Sequence, residues 1–365
     1  MKNTKRLLAL LLLAALCLSL AACGGSKPAE SAAPTAEAPA ESAEPAAEAA
    51  EPEAEEPAAE EPAAEEAAAD PELPVRVMTL NGTTGFGMAG LIADAAEGNA
   101  ALNYDFSVET DASNITAALV SGDVDIAALP TNAAAALYNK TGGKVQVLAL
   151  NTRGVLYVVS DGSEEIASLQ DLDGKTVYAP AQNPTFIFRT LCDAAGVNVT
   201  IDNTYAQPAD LNTAAASGEV ALAVLPEPMV TIARAQNAAL TPVLDVTAEW
   251  DKVFTPGSLV QGCVVVRTAF AAEHPAETAA FLEEYGKSVA LLEEDPAAAA
   301  QKIEVCGIFA KAAVAEKAIP RCNLCFITGA EMQAALSAFL ETMAASAPES
   351  IGGAVPAEDF YCILP

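Results

Sequence analysis

Short runs rich in Val, Ile and Leu recur from residue 75 onwards, and helical stretches of 8–15 residues separate most of them. Runs of this kind predict β-strands, and the segments between them predict helices that pack on a sheet. The predicted strands cover residues 75–80, 104–108, 124–128, 145–150, 155–159, 176–179, 197–201, 220–224 and 259–266. Strands that alternate with helices predict an α/β fold with mixed, mostly parallel sheets.

Residues 115–130 and 211–226 are similar to one another, reading ITAALVSGDVDIAALP and LNTAAASGEVALAVLP. Seven of the sixteen aligned positions are identical. Each copy predicts a helix that stops at Ser-Gly, a buried strand, and a second helix that begins after Leu-Pro. Gly suits the residue beyond a helix end, and Pro suits the first helical turn. The copies begin 96 residues apart, which is too long for a solenoid repeat and predicts two similar lobes.

The duplicated pattern predicts a chain that crosses between the lobes near residues 150–160 and returns near 245–258. Residues 75–155 plus 259–365 would then form lobe I and residues 156–258 lobe II, and two connections of this kind suit a hinge. Ligands of open α/β sheets bind beyond the carboxyl ends of the strands, where helix N-termini present unpaired N–H groups. We therefore expect a cleft between the lobes that holds a small solute.

Residues 1–23 predict an export signal, because basic residues at the start precede an apolar run that ends in LAAC. This ending resembles a bacterial lipobox. The resemblance implies that Cys23 carries a lipid and anchors the protein to the extracytoplasmic face of the cell membrane; the alternative is an ordinary secretory signal. Residues 24–74 are almost entirely Ala, Glu and Pro, a composition that predicts a disordered linker.

The chain carries 18 Lys and Arg residues against 49 Asp and Glu residues, for a net charge of -31. This balance excludes the clustered positive charge of nucleic-acid-binding proteins, so no nucleic-acid partner is expected. A single His excludes a metal site built on several imidazoles, and no metal or cofactor is expected. No apolar run beyond residue 23 approaches the roughly 20 residues that a membrane-spanning helix needs.

Several further motifs point to one family. They are SGDVD at 121–125, LP at 129–130, SLQDLDGKTV at 168–177, LPEP at 225–228, His274-Pro275 and Asp295-Pro296. With the export signal, they resemble the solute-binding proteins of ABC importers that have the type II periplasmic-binding fold. The nearest branch binds nitrate, sulfonates, taurine or pyrimidine precursors of thiamine, and the resemblance spans about residues 75–345. It implies capture of a small solute and delivery to a permease driven by an ATPase, without catalysis. We expect a monomer.

Polar residues that follow the predicted strands are the candidates for contacts to the solute. They are Asn81, Gly82, Thr83, Thr84, Thr131, Asn132, Gln182, Asn183, Thr185 and Glu227, with Arg153 near the crossing between the lobes. Turn formation and helix capping explain the loop residues equally without a ligand, and the helix dipole also favours Glu227. Arg153 could instead form a surface ion pair.

The candidate residues are compatible with either an anionic or a cationic solute. Helix N-termini together with Arg153 favour an anion such as a sulfonate or nitrate. Glu227 favours a cation or a hydrogen-bond donor such as an aminopyrimidine.

Six cysteines lie within the predicted lobes, and Cys322 and Cys325 have the C-x-x-C spacing of redox motifs. Structural disulfides or buried thiols are the alternative, because export leads to a compartment where disulfides persist. A thiol-disulfide lipoprotein that uses this pair is therefore one alternative function. A sensory lipoprotein with the same fold and no importer is another. Residues 350–361 predict an irregular segment that docks through its aromatic side chains.

Overall fold

The computed structural model describes residues 68–364. The predicted export signal, the predicted lipidation site at Cys23 and nearly all of the predicted linker lie outside these residues. The chain contacts the fold from residue 70 onwards, because the Asp70 N–H donates to Glu277 Oε1 at 2.8 Å. Among the described helices, none is long and apolar enough to cross a membrane.

Eleven strands form within the described residues, including all nine that the sequence predicts. The hydrophobic pattern does not predict β9, whose apolar run is interrupted by a proline, or β11, which is only four residues long. The strands are β1 (Pro74–Leu80), β2 (Asn103–Glu109), β3 (Ile126–Pro130), β4 (Val145–Arg153), β5 (Leu156–Ser160), β6 (Thr176–Tyr178), β7 (Thr200–Asp202), β8 (Leu222–Pro226), β9 (Thr241–Asp245), β10 (Val260–Arg267) and β11 (Leu324–Ile327).

Thirteen α-helices accompany these strands in the same part of the chain. They are α1 (Thr83–Phe86), α2 (Ala89–Ala96), α3 (Ala112–Ser121), α4 (Thr131–Thr141), α5 (Asn183–Ala194), α6 (Pro208–Ser217), α7 (Met229–Gln236), α8 (Val246–Trp250), α9 (Thr268–Glu273), α10 (Pro275–Glu294), α11 (Pro296–Val305), α12 (Ala312–Ala318) and α13 (Gly329–Ser346). Local sequence explains where several begin. Proline opens α10 and α11, and Asp295 caps α11 by accepting the Ala298 N–H at 3.0 Å.

The strands form two sheets with the same internal order. The first sheet runs β2-β1-β3-β10-β4-β11, and the second runs β7-β6-β8-β5-β9. The first five strands of the first sheet therefore correspond in order to the five strands of the second. In the first sheet, β1 is parallel to β2 and β3, while β10 is antiparallel to β3 and β4. In the second, β6 is parallel to β7 and β8, while β5 is antiparallel to β8 and β9. The predicted α/β fold with two similar lobes and mixed sheets is therefore confirmed. The expectation that the sheets are mostly parallel is wrong, because every pairing of β4, β5, β9, β10 and β11 is antiparallel, which makes five antiparallel pairs against four parallel ones.

The two copies of the sequence repeat occupy equivalent positions in the two sheets. Gly122 ends α3 with φ 82°, and Gly218 ends α6 with φ 77°, so both helices stop in the left-handed conformation that favours glycine. β3 and β8 follow as buried strands. The copies then differ: α4 begins directly after Pro130, whereas α7 begins at Met229, after Glu227 and Pro228.

The chain passes between the sheets twice, and the two passages lie together. Residues 154–155 join β4 to β5, and residues 251–259 join α8 to β10. Gly154 lies against Thr247 and Leu259, and a Cβ atom there would overlap both side chains. Only glycine therefore allows the outgoing passage to pack against the returning one.

The hydrophobic core includes a cluster that draws residues from both sheets. Trp250 is fully buried in it and contacts Phe254 and Phe339, with ring centroids 4.3 and 6.0 Å apart. Phe339 lies on α13, whose Ser346 Oγ is 2.8 Å from Thr190 Oγ1 on α5. α13 thus packs on the first sheet and on α5 and α8, which cover the second, so apolar contact joins the two halves beside the passages.

The C-terminal segment docks through its aromatic side chains, as the sequence predicts. Phe360 is fully buried and packs edge-on against Tyr138 of α4 at 5.0 Å between ring centroids. The Tyr138 hydroxyl donates to Asp359. Tyr361 forms a parallel bridge with Val147 on β4. The segment therefore closes the side of the first sheet that α4 covers.

A buried carboxylate fastens three strands of the first sheet. Asp125, at the start of β3, accepts hydrogen bonds from Arg76 Nε at 2.8 Å and Arg76 Nη2 at 2.7 Å, and from Arg267 Nη2 at 2.6 Å. Its side chain is 2% exposed. Burial alone would raise the pKa of Asp125, but the hydrogen bonds from Arg76 and Arg267 outweigh it and lower the pKa. The ionised carboxylate thus stabilises the fold.

Replacing Asp125 should destabilise the protein in a pH-dependent way. We expect Asp125→Asn to lower the free energy of unfolding by about 2–3 kcal/mol near pH 7, below the full value for a buried pair because both guanidinium groups reach solvent. Since the folded pKa is depressed, the difference between wild type and variant should shrink as pH falls below about 4. Urea denaturation at several pH values measures this. Asp123→Asn, which changes an exposed carboxylate two residues away, is the matched control, and an equal loss there would contradict the assignment.

Candidate functional site

The loops that follow β1 and β8 meet directly, one from each sheet. Thr83, in the first turn of α1, is buried, and its Oγ1 donates to the Glu227 carbonyl oxygen at 2.8 Å. The Glu227 N–H donates to the Val155 carbonyl at 2.9 Å, beside the first passage between the sheets. Two of the predicted solute contacts, Thr83 and Glu227, are therefore brought together at the junction of the two halves.

The other residues of the first loop hold its shape. The Asn81 N–H donates to the Glu109 carbonyl at 2.8 Å, and its side chain is exposed. Gly82 has φ 80° and donates its N–H to the Ile308 carbonyl at 2.9 Å. The Thr84 carbonyl accepts Asn151 Nδ2 at 3.1 Å. These contacts leave the Asn81 side chain and the Thr84 hydroxyl without a hydrogen bond among residues 68–364.

Glu227 carries a fully buried carboxylate, and its charge is already paired. Oε1 accepts Arg321 Nε at 2.6 Å and Thr231 Oγ1 at 3.1 Å, while Oε2 accepts the Thr231 N–H at 3.1 Å. Arg321 Nη2 also donates to Thr231 Oγ1 at 2.7 Å. Arg321 lies 94 residues away in sequence, and no local pattern points to it. The expectation that Glu227 attracts a cationic solute is therefore weakened, because Arg321 supplies the cation.

The segment that contains Arg321 forms further hydrogen bonds across the junction. The Tyr157 hydroxyl on β5 donates to the Arg321 carbonyl at 2.9 Å. Two residues on, Asn323 Nδ2 donates to the Gly154 carbonyl at 2.5 Å. The segment between α12 and β11 therefore binds the second sheet and the first passage by hydrogen bonds.

Two predicted solute contacts lie at the start of α4. Thr131 bonds to a neighbouring strand, and Asn132 keeps an unpaired acceptor. Thr131 is fully buried, and its Oγ1 donates to the Val260 carbonyl at 2.7 Å, which fixes α4 to β10. Asn132 Nδ2 donates to the Ser350 carbonyl at 3.4 Å. Its Oδ1 is buried and has no hydrogen-bond partner among the described residues.

The loop after β6 in the second sheet, which is equivalent to the loop after β1, also contains one bonded and one unpaired side chain. Thr185 is buried. Its hydroxyl donates to the Pro180 carbonyl at 2.7 Å and accepts Asn203 Nδ2 at 2.7 Å, so it stabilises the loop. Asn183 Oδ1 is buried, and no partner for it occurs in the described part of the chain. Gln182 is exposed and has φ 64°. The free polar groups here are Gln182 and Asn183.

Arg153 lies at the edge of the junction. Its Nη1 donates to the Gly257 carbonyl at 3.0 Å, and its Nη2 is 3.7 Å from Glu331 Oε1. It lines a cavity of about 430 Å³ with the returning passage and α13. The surface ion pair expected as the alternative is present, and Arg153 does not meet Thr83 or Glu227 by any direct bond in residues 68–364.

All six cysteines between residues 68 and 364 are free thiols. Burial raises the pKa of Cys322, and it raises that of Cys325 to about 12. Cys325 lies on β11 and Cys322 follows a 3-10 turn, so neither thiol has the helix N-terminus that activates redox cysteines. The alternative function as a thiol-disulfide protein is therefore disfavoured.

We expect the Cys322 and Cys325 thiols to be unreactive in the folded protein, because burial keeps them protonated near neutral pH. Labelling with iodoacetamide at pH 7.5 should modify neither within the time that labels both in guanidinium chloride, with peptide mass spectrometry as the readout. Fast native labelling of Cys322 and Cys325 together would instead support redox chemistry.

Removing Arg321 should leave the buried Glu227 carboxylate without a counter-ion. We expect Arg321→Gln to cost about 3 kcal/mol of unfolding free energy, measured by urea denaturation. Arg153→Gln, which removes a longer and more exposed pair, should cost less than about 1 kcal/mol. The double variant Glu227→Gln with Arg321→Gln should recover part of the loss. Additive losses in the double variant would show that the pair is not coupled.

Comparison with known proteins identifies the fold. The fold is similar to an ABC transporter protein from Parabacteroides distasonis, with 22% identity, a TM-score of 0.68, and coverage of 80% of this chain and 99% of that one. It is also similar to a putative periplasmic sulfonate-binding protein SsuA from Methylobacillus flagellatus, with 16% identity, a TM-score of 0.61, and coverage of 80% and 92%.

The periplasmic aliphatic sulphonate binding protein SsuA from Escherichia coli is similar at 14% identity and a TM-score of 0.59, with coverage of 74% of this chain and 85% of that one. No curated protein sequence matches the chain. The sequence matches the family described as NMT1/THI5 like over residues 98–299, which is more than half of its length. The protein therefore belongs to the NMT1/THI5-like family.

Proposed function

We propose that this protein is the extracytoplasmic solute-binding component of an ABC importer. The observation that carries the proposal is the direct contact of the loops after β1 and β8, one from each sheet, through Thr83 and Glu227. A solute between such loops would be enclosed from both sides, and its binding energy would favour the closed arrangement. The protein would capture and deliver its solute without chemical change, so it would not be an enzyme.

The solute-binding cleft would use the polar side chains that the fold leaves free. These are Asn81, Asn132, Gln182 and Asn183, at the ends of strands in both sheets. The buried, unpaired Oδ1 atoms of Asn132 and Asn183 favour a solute that donates hydrogen bonds, since a buried unsatisfied acceptor is costly. Gly82, Thr83, Thr84, Thr131, Thr185 and Glu227 would position these groups, and Arg153 would lie at the rim.

The chemical class of the solute is a small polar molecule. An aminopyrimidine presents the N–H donors that the two asparagine acceptors favour. A sulfonate or a nitrate-like anion would instead use the amide NH₂ groups of the same side chains, which offer both donors and acceptors. Two proteins of similar fold, SsuA from Escherichia coli and the putative SsuA from Methylobacillus flagellatus, bind sulfonates, so sulfonates stay among the solutes to be tested.

Two lobes would move about the paired passages at 154–155 and 251–259. Lobe I would comprise residues 75–155 plus 259–365, and lobe II residues 156–258. The apolar contact of α13 with both halves lies beside these passages, so closure would keep it as a pivot. A hinge of this kind suits a binding protein that releases its solute to a permease.

The N-terminal segment would hold the protein at the cell membrane. A lipid on Cys23 would anchor it on the extracytoplasmic face, and residues 24–74 up to the contact of Asp70 with the fold would act as the spacer. Its partners would be the small solute and the ABC permease with its ATPase. The protein would act as a monomer and would bind no nucleic acid.

A thermal-shift screen tests the solute proposal. A true solute at 100 times its dissociation constant should stabilise the protein by roughly 2.7 kcal/mol, which raises the melting temperature by about 5 °C for a domain of this size. The screen should contain sulfonates, nitrate, aminopyrimidines, amino acids and aromatic acids. With the active compound, Asn132→Ala and Asn183→Ala should lose most of the shift, because each removes a proposed contact.

Asn99→Ala changes an exposed asparagine in the first lobe and should keep the full shift. A shift that survives both Asn132→Ala and Asn183→Ala would place the solute elsewhere. If no compound in the screen raises the melting temperature, the proposal of solute capture fails.

A further inference from the structure

A second cavity lies between the two halves, apart from the proposed solute cleft. It has a volume of about 490 Å³, within the range of small-molecule sites. One wall is α7, which packs on the second sheet, and the other is α12, which packs on the first. Its lining is Thr231, Arg234, Ala235, Ala238, Ala313, Val314, Lys317 and Arg321.

Positive charge is concentrated in this cavity. Arg234, Lys317 and Arg321 line it and no carboxylate does, although the chain has 49 acidic residues against 18 basic ones. Arg321 is paired with Glu227 through Nε. Arg234 and Lys317 form no ion pair within residues 68–364, and Arg234 Nε has only a carbonyl contact, to Leu240 at 3.3 Å. Arg234 and Lys317 are both exposed to solvent, where an anion can reach their charged groups.

Helix dipoles account for part of this arrangement. Arg234 lies in the last turn of α7, and Lys317 lies in the last turn of α12, where a cation stabilises the helix. That effect explains each residue on its own helix. It does not explain why both face one cavity between the halves, with Arg321 beside them and no acidic residue in the lining.

We propose that the cavity between α7 and α12 binds a small tetrahedral oxyanion, either inorganic phosphate or sulfate, or the phosphate group of a small monoester. Arg234 would contact it from the second sheet's side, and Lys317 and Arg321 from the first. Guanidinium and ammonium groups form charge-assisted hydrogen bonds to such oxygens. Because the anion would join helices from both halves, its binding would stabilise the closed arrangement. None of the proposed solute contacts lines the cavity, although Arg321 and Thr231, which do, both bond to the Glu227 carboxylate at the junction.

Titration of the protein with sodium phosphate tests the proposal. Isothermal calorimetry at low ionic strength should show saturable binding tighter than about 10 mM, and the melting temperature should rise with phosphate. Sodium chloride at matched ionic strength should not reproduce the rise. Sulfate and methyl phosphate, titrated separately, identify whether a free anion or a monoester binds more tightly.

Variants locate the site. Arg234→Gln and Lys317→Gln should each weaken phosphate binding at least tenfold, because each removes a charge-assisted contact worth about a factor of ten. Lys317→Arg, which keeps the charge, should retain binding. Arg189→Gln, an exposed arginine on α5, is the matched control and should bind as wild type does. Circular dichroism without phosphate verifies that each variant is folded.

Three outcomes would overturn the proposal. They are a melting shift that sodium chloride reproduces, binding that persists in the Arg234→Gln and Lys317→Gln double variant, and loss of phosphate binding in Asn132→Ala. The last would place the anion in the solute cleft instead. The two proposals thus fail separately, because Asn132→Ala should abolish the solute response and leave the phosphate response intact.

Discussion

The two halves of this protein meet around one buried charge. The Glu227 carboxylate has no exposed surface, and a charge in that position is tolerated only with a counter-ion and full hydrogen bonding. Arg321 and Thr231 supply both. Because Arg321 comes from the chain after α12 while Glu227 follows β8, the pair forms only when the returning chain lies against the second sheet.

The hydrogen bonds around this pair extend the same constraint. Thr83 holds the Glu227 carbonyl from the first sheet, and Tyr157 holds the Arg321 carbonyl from the second. Together with the Glu227–Arg321 pair, these contacts form one continuous chain of hydrogen bonds across the junction. An arrangement of this kind suits closure around a solute, since a few linked contacts are made or broken together.

The duplicated topology places the candidate solute contacts and the buried Asp125 at opposite ends of the strands. Asp125, at the amino end of β3, is surrounded by guanidinium groups from β1 and β10 and fastens the first sheet. The free asparagine side chains lie at the carboxyl ends of strands, where parallel α/β sheets bind ligands. The cations of α7 and α12 lie beside the junction and give a strongly acidic protein a local positive cavity.

The sequence by itself determined the alternation of strands and helices, the duplication, and the helix ends at Gly122 and Gly218. These depend on periodicity and capping, which act within a few residues. It also located the loops that hold the candidate site. Only the tertiary structure decided that Thr131 and Thr185 point inward to backbone carbonyls while Asn132 and Asn183 keep free acceptors. Only the tertiary structure paired Glu227 with Arg321 and brought Arg234 to Lys317, because such partners are set by where the chain returns and not by local sequence.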